Sequence, residues 1–438
     1  MATTAPQASA VERVWLKSYP PGVPAEADID AYASIRDILK VSCKKFASLP
    51  AFTCMDATID YAELDLHSAR FGAWLQHEAG LKKGDRVALM MPNMLQYPIA
   101  LFGILRAGMV AVNCNPLYTP RELEHQLNDA GASAIVILEN FAHTLQQVIA
   151  KTPVKKVVTT QLGDLLGWPK SMIVNWVVKH RRKLVPAWDI QGTMTFKTAL
   201  SQGSRHAIEE SPLGHDDLAF LQYTGGTTGI SKGAMLTHGN IVANLQQVSA
   251  WIGREFVDGR EVAITALPMY HIFALSGSCL CNMKIGAHNI LITNPRDMPG
   301  FVKELGKYPF STMSGVNTLF NGLMTPDGYV KIVDRKKDMI VVSGFKVFPN
   351  EVEDVVAMLP GVREVCAVPA PDPHSGETVR LVIVRKDPSL TKEQVIEHCR
   401  KNLTGYKRPH IVEFWDELPK SNVGKVLRRE VRAVPPKE

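Results

Sequence analysis

A glycine-rich run near the middle of the chain combines the residue types that bind polyphosphates. Its candidate phosphate-binding members are Thr224, Gly225, Gly226, Thr227, Thr228, Gly229 and Lys232, with Ser231 before the lysine. Glycines let the backbone approach a ligand and turn its N–H groups inward, while the hydroxyls add donors and the lysine adds a positive charge. The run is not a P-loop of the Walker type, because Ser231 rather than glycine precedes Lys232. A flexible turn is the alternative, and the interleaved hydroxyls and lysine favour phosphate binding.

The surrounding elements predict that this run is a loop between two strands. A strand-like segment at residues 218–222 precedes it, and another at residues 234–236 follows it. Earlier in the chain, β-rich runs at residues 86–91, 109–112, 134–138 and 156–160 alternate with helical stretches such as residues 95–107. This alternation is typical of parallel sheets covered by helices.

A smaller unit follows residue 324. It begins with a turn signal at residues 325–328, after which the pattern of predicted helices and strands changes. Its predicted helices lie at residues 351–359, capped by Asn350, and 391–402, capped by Thr391, and its strands at residues 329–333, 365–368, 379–385 and 411–415. These elements predict a compact α+β unit of about a hundred residues. The chain is therefore expected to divide into a large domain, residues 1–336, and a small domain, residues 337–438.

The composition is that of a folded enzyme with several compact units. A length of 438 residues predicts about three such units, and 46% apolar residues exclude disorder, collagen-like repeats and coiled coils. The net charge of +6 is too small to indicate nucleic acid as a partner. The seven scattered cysteines include no C-x-x-C pair, which argues against zinc or disulfide frameworks and predicts buried, reduced thiols in a cytoplasmic protein.

One segment has the character of a membrane-surface helix. Residues 172–178 are mostly apolar and include Trp176, and Trp168 and Trp188 lie nearby. The basic run that follows consists of Lys179, His180, Arg181, Arg182 and Lys183. Such a segment can lie on an anionic membrane, where each cation near the surface adds about 1 kcal/mol. A surface helix packed on its own domain is the first expectation, and peripheral contact with the inner membrane face is the alternative.

The glycine-rich run resembles the phosphate-binding signature of the adenylate-forming superfamily of acyl-CoA synthetases, luciferases and peptide-synthetase adenylation domains. Five stretches, in family order, resemble the bacterial long-chain fatty acyl-CoA ligases: residues 85–93, 115–125, 267–275, 334–353 and 419–428. The resemblance implies an α/β fold, with a large layered α/β domain followed by a small α+β domain. It also implies a reaction in two steps: a fatty acid carboxylate attacks the α-phosphate of ATP and releases pyrophosphate, and the thiol of coenzyme A then displaces AMP from the acyl-adenylate.

The resemblance assigns roles to three charged residues near or in the small domain. Lys425 matches the catalytic lysine that bridges the substrate carboxylate and the α-phosphate. Arg335 matches the arginine that binds the ribose hydroxyls of AMP, and Lys337 matches the hinge about which the small domain rotates between the two half-reactions. Outside these motifs, each would be read as an ordinary solvated surface charge.

Two further motifs are assigned to the acyl and coenzyme A substrates. The loop of Ser343, Gly344 and Phe345 matches the one presented to the pantetheine arm of coenzyme A, with a plain β-turn as the alternative. His271 matches the histidine beside the acyl substrate, although a single histidine on an apolar stretch is more often a satisfied core residue. The apolar segment at residues 272–281 either lines an acyl tunnel or forms a buried helix.

The family pattern is interrupted after Leu323. Between Leu323 and Asp327 the sequence passes from the middle of the large domain to the strand before the hinge, where the family has more than a subdomain of additional chain. The absent part includes an aromatic-Gly-x-Thr-Glu motif, whose glutamate holds Mg²⁺, and a Thr-Gly-Asp motif, whose aspartate binds the ribose. Glu377 belongs to the small domain and is no substitute. The sequence therefore assigns no metal ligand, and it predicts uncovered strand edges and apolar faces.

Together these observations predict the scaffold of a long-chain fatty acid–CoA ligase. Whether the chain catalyses the reaction is left open by the absent segment. ATP, coenzyme A and the fatty acid are the expected substrates, and Mg²⁺ is the cofactor that the resemblance implies. The first alternative is a non-catalytic remnant that binds acyl chains, nucleotide or a membrane surface. The second is a ligase for a medium-chain or aryl carboxylate. The expected location is the cytoplasm or the inner membrane face, with a homodimer as one option.

Overall fold

The computed structural model describes residues 13–224, 231–253, 255–323, 340–347, 349–420 and 426–436, apart from the side chains of Thr318, Asn321, Lys346 and Arg429. The strands are β1 (Pro50–Cys54), β2 (Ala57–Asp60), β3 (Arg86–Met90), β4 (Val110–Asn113), β5 (Ala132–Leu138), β6 (Lys156–Thr160), β7 (Met194–Thr195), β8 (Leu218–Thr224), β9 (Lys232–Thr237), β10 (Val262–Thr265), β11 (His288–Leu291), β12 (Thr312–Ser314), β13 (Ile340–Val342), β14 (Phe345–Val347), β15 (Val362–Asp372), β16 (Gly376–Arg385) and β17 (Pro409–Phe414). The α-helices are α1 (Ile35–Lys45), α2 (Tyr61–His77), α3 (Gln96–Arg106), α4 (Pro120–Ala130), α5 (Ala142–Gln146), α6 (Lys170–Trp176), α7 (Phe196–Gly203), α8 (His238–Ile252), α9 (Ile272–Ala274), α10 (Cys281–Lys284), α11 (Met298–Leu305), α12 (Asn317–Leu323), α13 (Pro349–Ala357), α14 (Lys392–Asn402) and α15 (Arg428–Ala433). Short 3-10 turns lie at Val14–Ser18, Glu139–Phe141, Ile149–Lys151 and Gly405–Lys407, and π-helical turns at Val177–Arg181 and Leu275–Leu280.

The largest sheet consists mainly of parallel strands, as the alternation of apolar runs predicts. Its strand order is β7-β6-β5-β3-β4-β8-β9, and its described pairs are parallel except for β8 with β9. Strands β3, β4 and β5 are buried along most of their length, because helices cover both faces of the sheet. The carboxyl ends of parallel strands meet at one edge, where ligands bind in such folds. Asn93, Asn113 and Thr224 lie at or just beyond the ends of β3, β4 and β8, and so share that edge.

A second sheet, of order β12-β10-β11-β1-β2, completes the large domain. Its pairs are parallel except for the β1–β2 hairpin. The main hydrophobic core joins helices α1, α2, α3, α7 and α8 to strands of both sheets. A separate core lies between the first sheet and helices α4 and α5. The predicted layered α/β architecture of the large domain is therefore confirmed.

The small domain is an α+β unit, as predicted. Its sheet has the order β14-β13-β16-β15, with β17 also paired to β16. Helices α13 and α14 pack on one face and α15 on the other. The capping box of Thr391 and Gln394 is present at the start of α14. The predicted boundary between residues 336 and 337, and the strand predicted at residues 329–333, lie outside the described residues.

Asn350 is not the cap of α13, contrary to the prediction. The helix begins at Pro349, two residues before the predicted start at residue 351, because the proline ring holds φ near the helical value and the missing N–H is not needed in the first turn. The side-chain oxygen of Asn350 instead accepts a hydrogen bond from the guanidinium of Arg428. Asn350 thus connects α13 to α15 rather than ending a helix.

Helix α6 lies on the surface of the large domain with its apolar side chains facing outward. Trp168 is 84% exposed, Met172 62% and Trp176 58%. A polar contact ties it to the domain: the side chain of Asn175 accepts a hydrogen bond from the backbone N–H of Gly163 at 2.7 Å. Among the described residues no helix is long and apolar enough to cross a bilayer.

All seven cysteines are buried and none forms a disulfide, as their scattered positions predict. Burial raises the pKa of the Cys54 thiol to about 11 and that of Cys43 to about 12. Burial in an apolar environment disfavours the reactive thiolate. These cysteines therefore behave as small core residues.

Candidate active site

The β8–β9 hairpin holds the two ends of the glycine-rich run. Thr224, the last residue of β8, pairs with Lys232, the first residue of β9, and both are exposed at the edge of the sheet. The hydroxyl of Ser231 donates to the carbonyl of Thr224 at 3.0 Å, and Nε2 of His125 lies 2.9 Å from the carbonyl oxygen of Ser231. The two strands predicted on either side of the run are therefore present, with the hydroxyl of Ser231 and the cation of Lys232 at the start of the second one.

The middle of the glycine-rich run lies outside the described residues. Gly225, Gly226, Thr227, Thr228 and Gly229 are not among the described residues. Their assignment to phosphate binding therefore remains a prediction from the sequence.

A network of buried polar side chains holds the loop that carries Tyr270 and His271. The amide nitrogen of Asn93 donates to the carbonyls of Thr265 and Leu267, each at 2.9 Å. The amide oxygen of Asn93 accepts from the backbone N–H of Met269 at 2.8 Å. One side chain just beyond β3 thus fixes the last residue of β10 and two backbone groups of the loop that follows it.

The same loop is tied to β4 and β8. The hydroxyl of Tyr97 lies 2.7 Å from the amide oxygen of Asn113 and 2.8 Å from the carbonyl oxygen of Met269. The amide nitrogen of Gln222 donates to the carbonyl of Tyr270 at 2.9 Å, and its oxygen accepts from Asn113 at 3.1 Å. Sequence reasoning missed Asn113 and Gln222 as site residues. The signal was a polar residue at the carboxyl end of an otherwise apolar strand.

His271 is exposed and caps α9, so it is not a core histidine. Its Nδ1 accepts a hydrogen bond from the backbone N–H of Phe273 at 3.4 Å. The segment that follows passes from α9 into the π-helical turn Leu275–Leu280 and then into α10. The alternative of a buried helix for residues 272–281 is therefore correct in part, because Leu275, Leu280 and Cys281 are buried while Phe273 is 55% exposed.

A cavity of about 90 Å³ lies beside the π-helical turn. Its apolar wall includes Val248 and Ile252 of α8, and Phe256 and Ile285. Gly277 lines the cavity from the π-helical turn, and an added Cβ at this position would meet no atom within 4 Å. Carbon chains are compatible with such a lining, because it removes apolar surface from water.

The candidate coenzyme A loop forms a tight turn between β13 and β14. Ser343 and Gly344 have φ values of +49° and +85°, as the two-residue turn of a hairpin requires. A Cβ added to Gly344 would lie 2.3 Å from Cγ2 of Val316, so the turn rests directly on the large domain. The β-turn predicted as the alternative is therefore present, and its place between the domains leaves the coenzyme A role open as a prediction.

Aromatic and cationic side chains surround this turn. The ring of Phe345 stacks on Tyr406 with centroids 4.5 Å apart, and the guanidinium of Arg296 lies 5.1 Å from the Phe345 centroid. The hydroxyl of Tyr406 accepts a hydrogen bond from the side chain of Asn115 at 3.1 Å. The stretch at residues 115–125 therefore contacts the small domain through Asn115 and the end of the glycine-rich run through His125.

Lys425, Arg335 and Lys337 lie outside the described residues, but both flanks of the Lys425 loop are described. On one side Lys420 pairs with Glu364 at 2.7 Å. On the other side Arg428 pairs with Glu353 at 2.5 Å. Since Lys420 also forms a β-bridge with Val426, the two ends of the loop are held together.

The described residues do not form a fitting Mg²⁺ site. Among them, no group of three or more His, Cys, Asp and Glu side chains could hold a metal ion. Glu377 accepts a hydrogen bond from the backbone N–H of Val341 at 2.8 Å, and so serves the sheet of the small domain. Mg²⁺ prefers carboxylate and phosphate oxygens, and the described residues offer no such set of carboxylates.

Comparison with known proteins places the chain in a family. The family model of AMP-binding enzymes matches residues 39–386, and that of the AMP-binding enzyme C-terminal domain matches residues 351–425. A long-chain-fatty-acid–CoA ligase from Escherichia coli O6:H1 is 44% identical, with 96% of this chain and 98% of that protein covered. The ligase of the same name from Bacillus subtilis is 25% identical over the same shares. The alignment to the Escherichia coli protein extends over 550 positions, more than the 438 residues of this chain.

Solved structures agree in fold. An o-succinylbenzoate CoA synthetase from Bacillus subtilis superimposes with a TM-score of 0.70 at 18% identity, covering 92% of this chain and 99% of that one. MbtA from Mycobacterium smegmatis superimposes with a TM-score of 0.55 at 20% identity, covering 95% and 98%. The chain therefore belongs to the AMP-binding, adenylate-forming enzymes, in the family of the bacterial long-chain-fatty-acid–CoA ligases.

Proposed function

We propose that this protein activates a long-chain fatty acid with ATP and transfers the acyl group to coenzyme A. The observation that carries the proposal is the hydrogen bond from Gln222 to the carbonyl of Tyr270 at 2.9 Å. It joins the strand that leads into the candidate phosphate loop to the loop that carries the candidate acyl-pocket residue, His271. A carboxylate held at one loop and a triphosphate held at the other would meet at the same edge of the sheet.

In the first half-reaction, one anion attacks another. The transition state therefore needs positive charge and oriented dipoles more than covalent help from the protein. We assign this role to the backbone and hydroxyls from Thr224 to Gly229, to Lys232, and to Lys425. Arg335 would bind the ribose hydroxyls of the nucleotide.

In the second half-reaction, the thiol of coenzyme A attacks the acyl carbonyl, and AMP leaves with the bonding electrons. We assign the turn of Ser343, Gly344 and Phe345 to the pantetheine arm, since this turn lies against the large domain. Rotation about Lys337 would bring the Lys425 loop to the site for the first step and this turn for the second. One site can thereby carry out both reactions in sequence.

We propose that the cavity beside Gly277 receives the acyl chain. Its apolar wall and the open space at Gly277 support a hydrocarbon, although Ser278, Asn282 and Thr312 also line the cavity. A medium-chain or aryl carboxylate is the competing substrate class, since the cavity volume is about 90 Å³. Comparison of hexadecanoate, octanoate and benzoate as substrates decides between them.

We also propose that a segment of the large domain is absent after Leu323, so that the large domain, residues 1–336, lacks its last part. The 550 alignment positions against the 438 residues of this chain support this proposal. The absent part would contain the glutamate that holds Mg²⁺ in the resemblance stated above. A non-catalytic remnant is therefore the competing function.

Exchange of labelled pyrophosphate into ATP, dependent on added hexadecanoate, tests the proposed function. We expect exchange with the folded wild-type chain and a loss on the order of 10²- to 10³-fold in Lys425→Ala, because that lysine stabilises developing charge. Lys392→Ala, which removes an exposed lysine from the same domain, serves as the control and should keep wild-type exchange. A folded wild-type protein without exchange would refute the ligase and leave the remnant.

A further inference from the structure

A buried cluster of charged residues joins the two domains next to the aromatic pair of Phe345 and Tyr406. The ammonium of Lys407 lies 2.8 Å from Oε1 of Glu122 and 2.6 Å from Oε1 of Glu351. Glu122 belongs to α4 of the large domain, whereas Glu351 and Lys407 belong to the small domain. The hydroxyl of Thr404 donates to Oε2 of Glu122 at 2.6 Å. We call these four residues the interdomain cluster.

The cluster is shielded from water. The exposed fractions of the Lys407, Glu351 and Glu122 side chains are 7%, 10% and 15%. The rings of Tyr118 and Tyr406 flank the ammonium, with centroids 5.6 Å and 5.7 Å from it. In such surroundings an ion pair is strong only while its partners stay in place, and losing one partner leaves a buried charge without compensation.

Glu122 is fixed by its own domain, independently of the small domain. Its Oε2 accepts from the backbone N–H of Thr119 at 2.8 Å, and Thr119 caps α4 in return. A capping box of this kind holds the glutamate at the helix start. The capping box therefore holds the negative charge of Glu122 in place, whichever part of the small domain faces α4.

The other carboxylate of the cluster is incompletely satisfied. Oε2 of Glu351 is buried and has no hydrogen-bond partner among the described residues. Burial raises the pKa of Glu351, with the Lys407 charge acting in the opposite direction, whereas the Lys407 charge lowers the pKa of Glu122 against the effect of burial. A buried polar atom without a partner costs stability, so the cluster is better suited to selecting an orientation than to stabilising the fold.

We propose that the interdomain cluster is a latch that holds the small domain in the orientation of the second half-reaction, with Glu122 as a positioning residue. The proposal rests on the proposed function, because only a two-step ligase needs two orientations. In the observed orientation the turn at Gly344 meets Val316 while Lys407 meets Glu122. Rotation for the first half-reaction would carry Lys407 and Glu351 away together and leave Glu122 on its helix cap.

Chemical crosslinking between the domains tests the latch without requiring catalysis. Arg121 and Met358 are exposed, and Nη1 of Arg121 lies 3.7 Å from Sδ of Met358 across the interface. Because the native cysteines are buried, the pair R121C/M358C can be joined selectively by a short bismaleimide. The crosslinking rate then reports how often the latched orientation is populated.

Glu122→Gln should lower the crosslinking rate about tenfold, a typical size for a conformational coupling. Glu124→Gln, on the same helix, is the control and should leave the rate unchanged. Glu351→Gln should keep at least half of the wild-type rate, because the bond between the domains, Lys407 to Glu122, is retained. Circular dichroism identifies any variant that fails to fold.

Two outcomes overturn the latch: a wild-type rate in Glu122→Gln, or an equal fall in Glu351→Gln. In a chain that also shows pyrophosphate exchange, Glu122→Gln should slow acyl transfer to coenzyme A about tenfold and leave exchange unchanged. A chain without exchange refutes the proposed function, while the crosslinking rates still decide whether Glu122 fixes the orientation of the small domain.

Discussion

At the scale of single residues, the site depends on amides that the motifs did not single out. Asn93 was visible as the end of a family-like stretch, but nothing in its neighbours along the chain showed that it would hold three backbone groups of a loop more than 170 residues away. Asn113 and Gln222 are similar cases. A buried amide is recognisable from sequence as a break in an apolar strand, whereas its partners depend on which strands become neighbours.

Buried His238 makes the stability of the large domain depend on pH. Its Nδ1 accepts a hydrogen bond from the backbone N–H of Ile35 at 3.2 Å. A proton on that nitrogen would therefore break this bond, because it would point at the N–H of Ile35. Burial lowers the pKa of His238 from 6.5 to about 4. Between these two pKa values the unfolded chain binds a proton on this histidine and the folded chain does not. The stability that is fully present above pH 6.5 is therefore lost as the pH falls towards 4.

We expect this histidine to reduce the free energy of unfolding by about 3 kcal/mol over that range. Urea unfolding of the large domain between pH 7 and pH 4 measures the loss, and NMR titration of the ring measures the pKa directly. His238→Gln removes the titrating group and should flatten this part of the profile. A ring that titrates at its ordinary value would contradict the prediction.

At the scale of elements, regular sequence patterns were sufficient to predict the strands of the main sheet. The irregular elements could be identified only from the structure. Strand β6 has the predicted bounds, and β3, β4, β5 and β8 differ from the predicted runs by a few residues. The apolar segment after His271 was ambiguous, because a π-helical turn has no sequence period that separates it from an α-helix. Similarly, the turn at Ser343 was visible as a turn, but its contact with the large domain follows from tertiary packing.

The π-helical turn provides a test of acyl-chain binding. Gly277→Leu should fill the cavity beside the turn and lower pyrophosphate exchange with hexadecanoate about tenfold, while exchange with octanoate changes less, because a pocket discriminates by the methylenes it can hold. Gly214→Leu is the matched control, since an added Cβ there also meets no atom within 4 Å. Equal losses with both acids would show that the cavity does not hold the chain.

At the scale of the whole molecule, the sequence predicted a large α/β domain, a small α+β domain and their order. It could not predict how the domains meet, because the contacts of Lys407 and Tyr406 join residues almost 300 positions apart. The charges of the interdomain cluster look like ordinary surface residues in the sequence. Burial alone distinguishes them, and burial depends on the orientation of the domains.

The outward-facing apolar residues of α6 and the basic run beyond it lead us to propose peripheral binding to an anionic membrane. Met172, Ile173 and Trp176 are each more than half exposed, and the large domain leaves this side uncovered. Vesicles of phosphatidylglycerol and phosphatidylcholine should bind the protein more tightly than phosphatidylcholine alone. A fatty acid dissolved in the bilayer would then lie near the proposed active site.

Replacing two cations of the run, R181Q/R182Q, should weaken vesicle binding about 30-fold, since each cation contributes about 1 kcal/mol near an anionic surface. Tryptophan fluorescence during vesicle titration measures the affinity. The double variant K155Q/K156Q removes the same charge elsewhere on the large domain and should bind as the wild type does. An equal loss in both would assign the effect to net charge rather than to α6.

Gly344 has a consequence for how closely the domains approach each other. With only a hydrogen atom between its backbone and Val316, there is no side chain that could retract when the small domain moves. Any larger residue at this position would meet Val316 and would also strain the turn, because Gly344 has a φ of +85°. We therefore expect it both to move the small domain away from Val316 and to weaken the β13–β14 hairpin. The absence of a side chain at Gly344 thus sets how closely the two domains approach at the place where the acyl group would pass from AMP to coenzyme A.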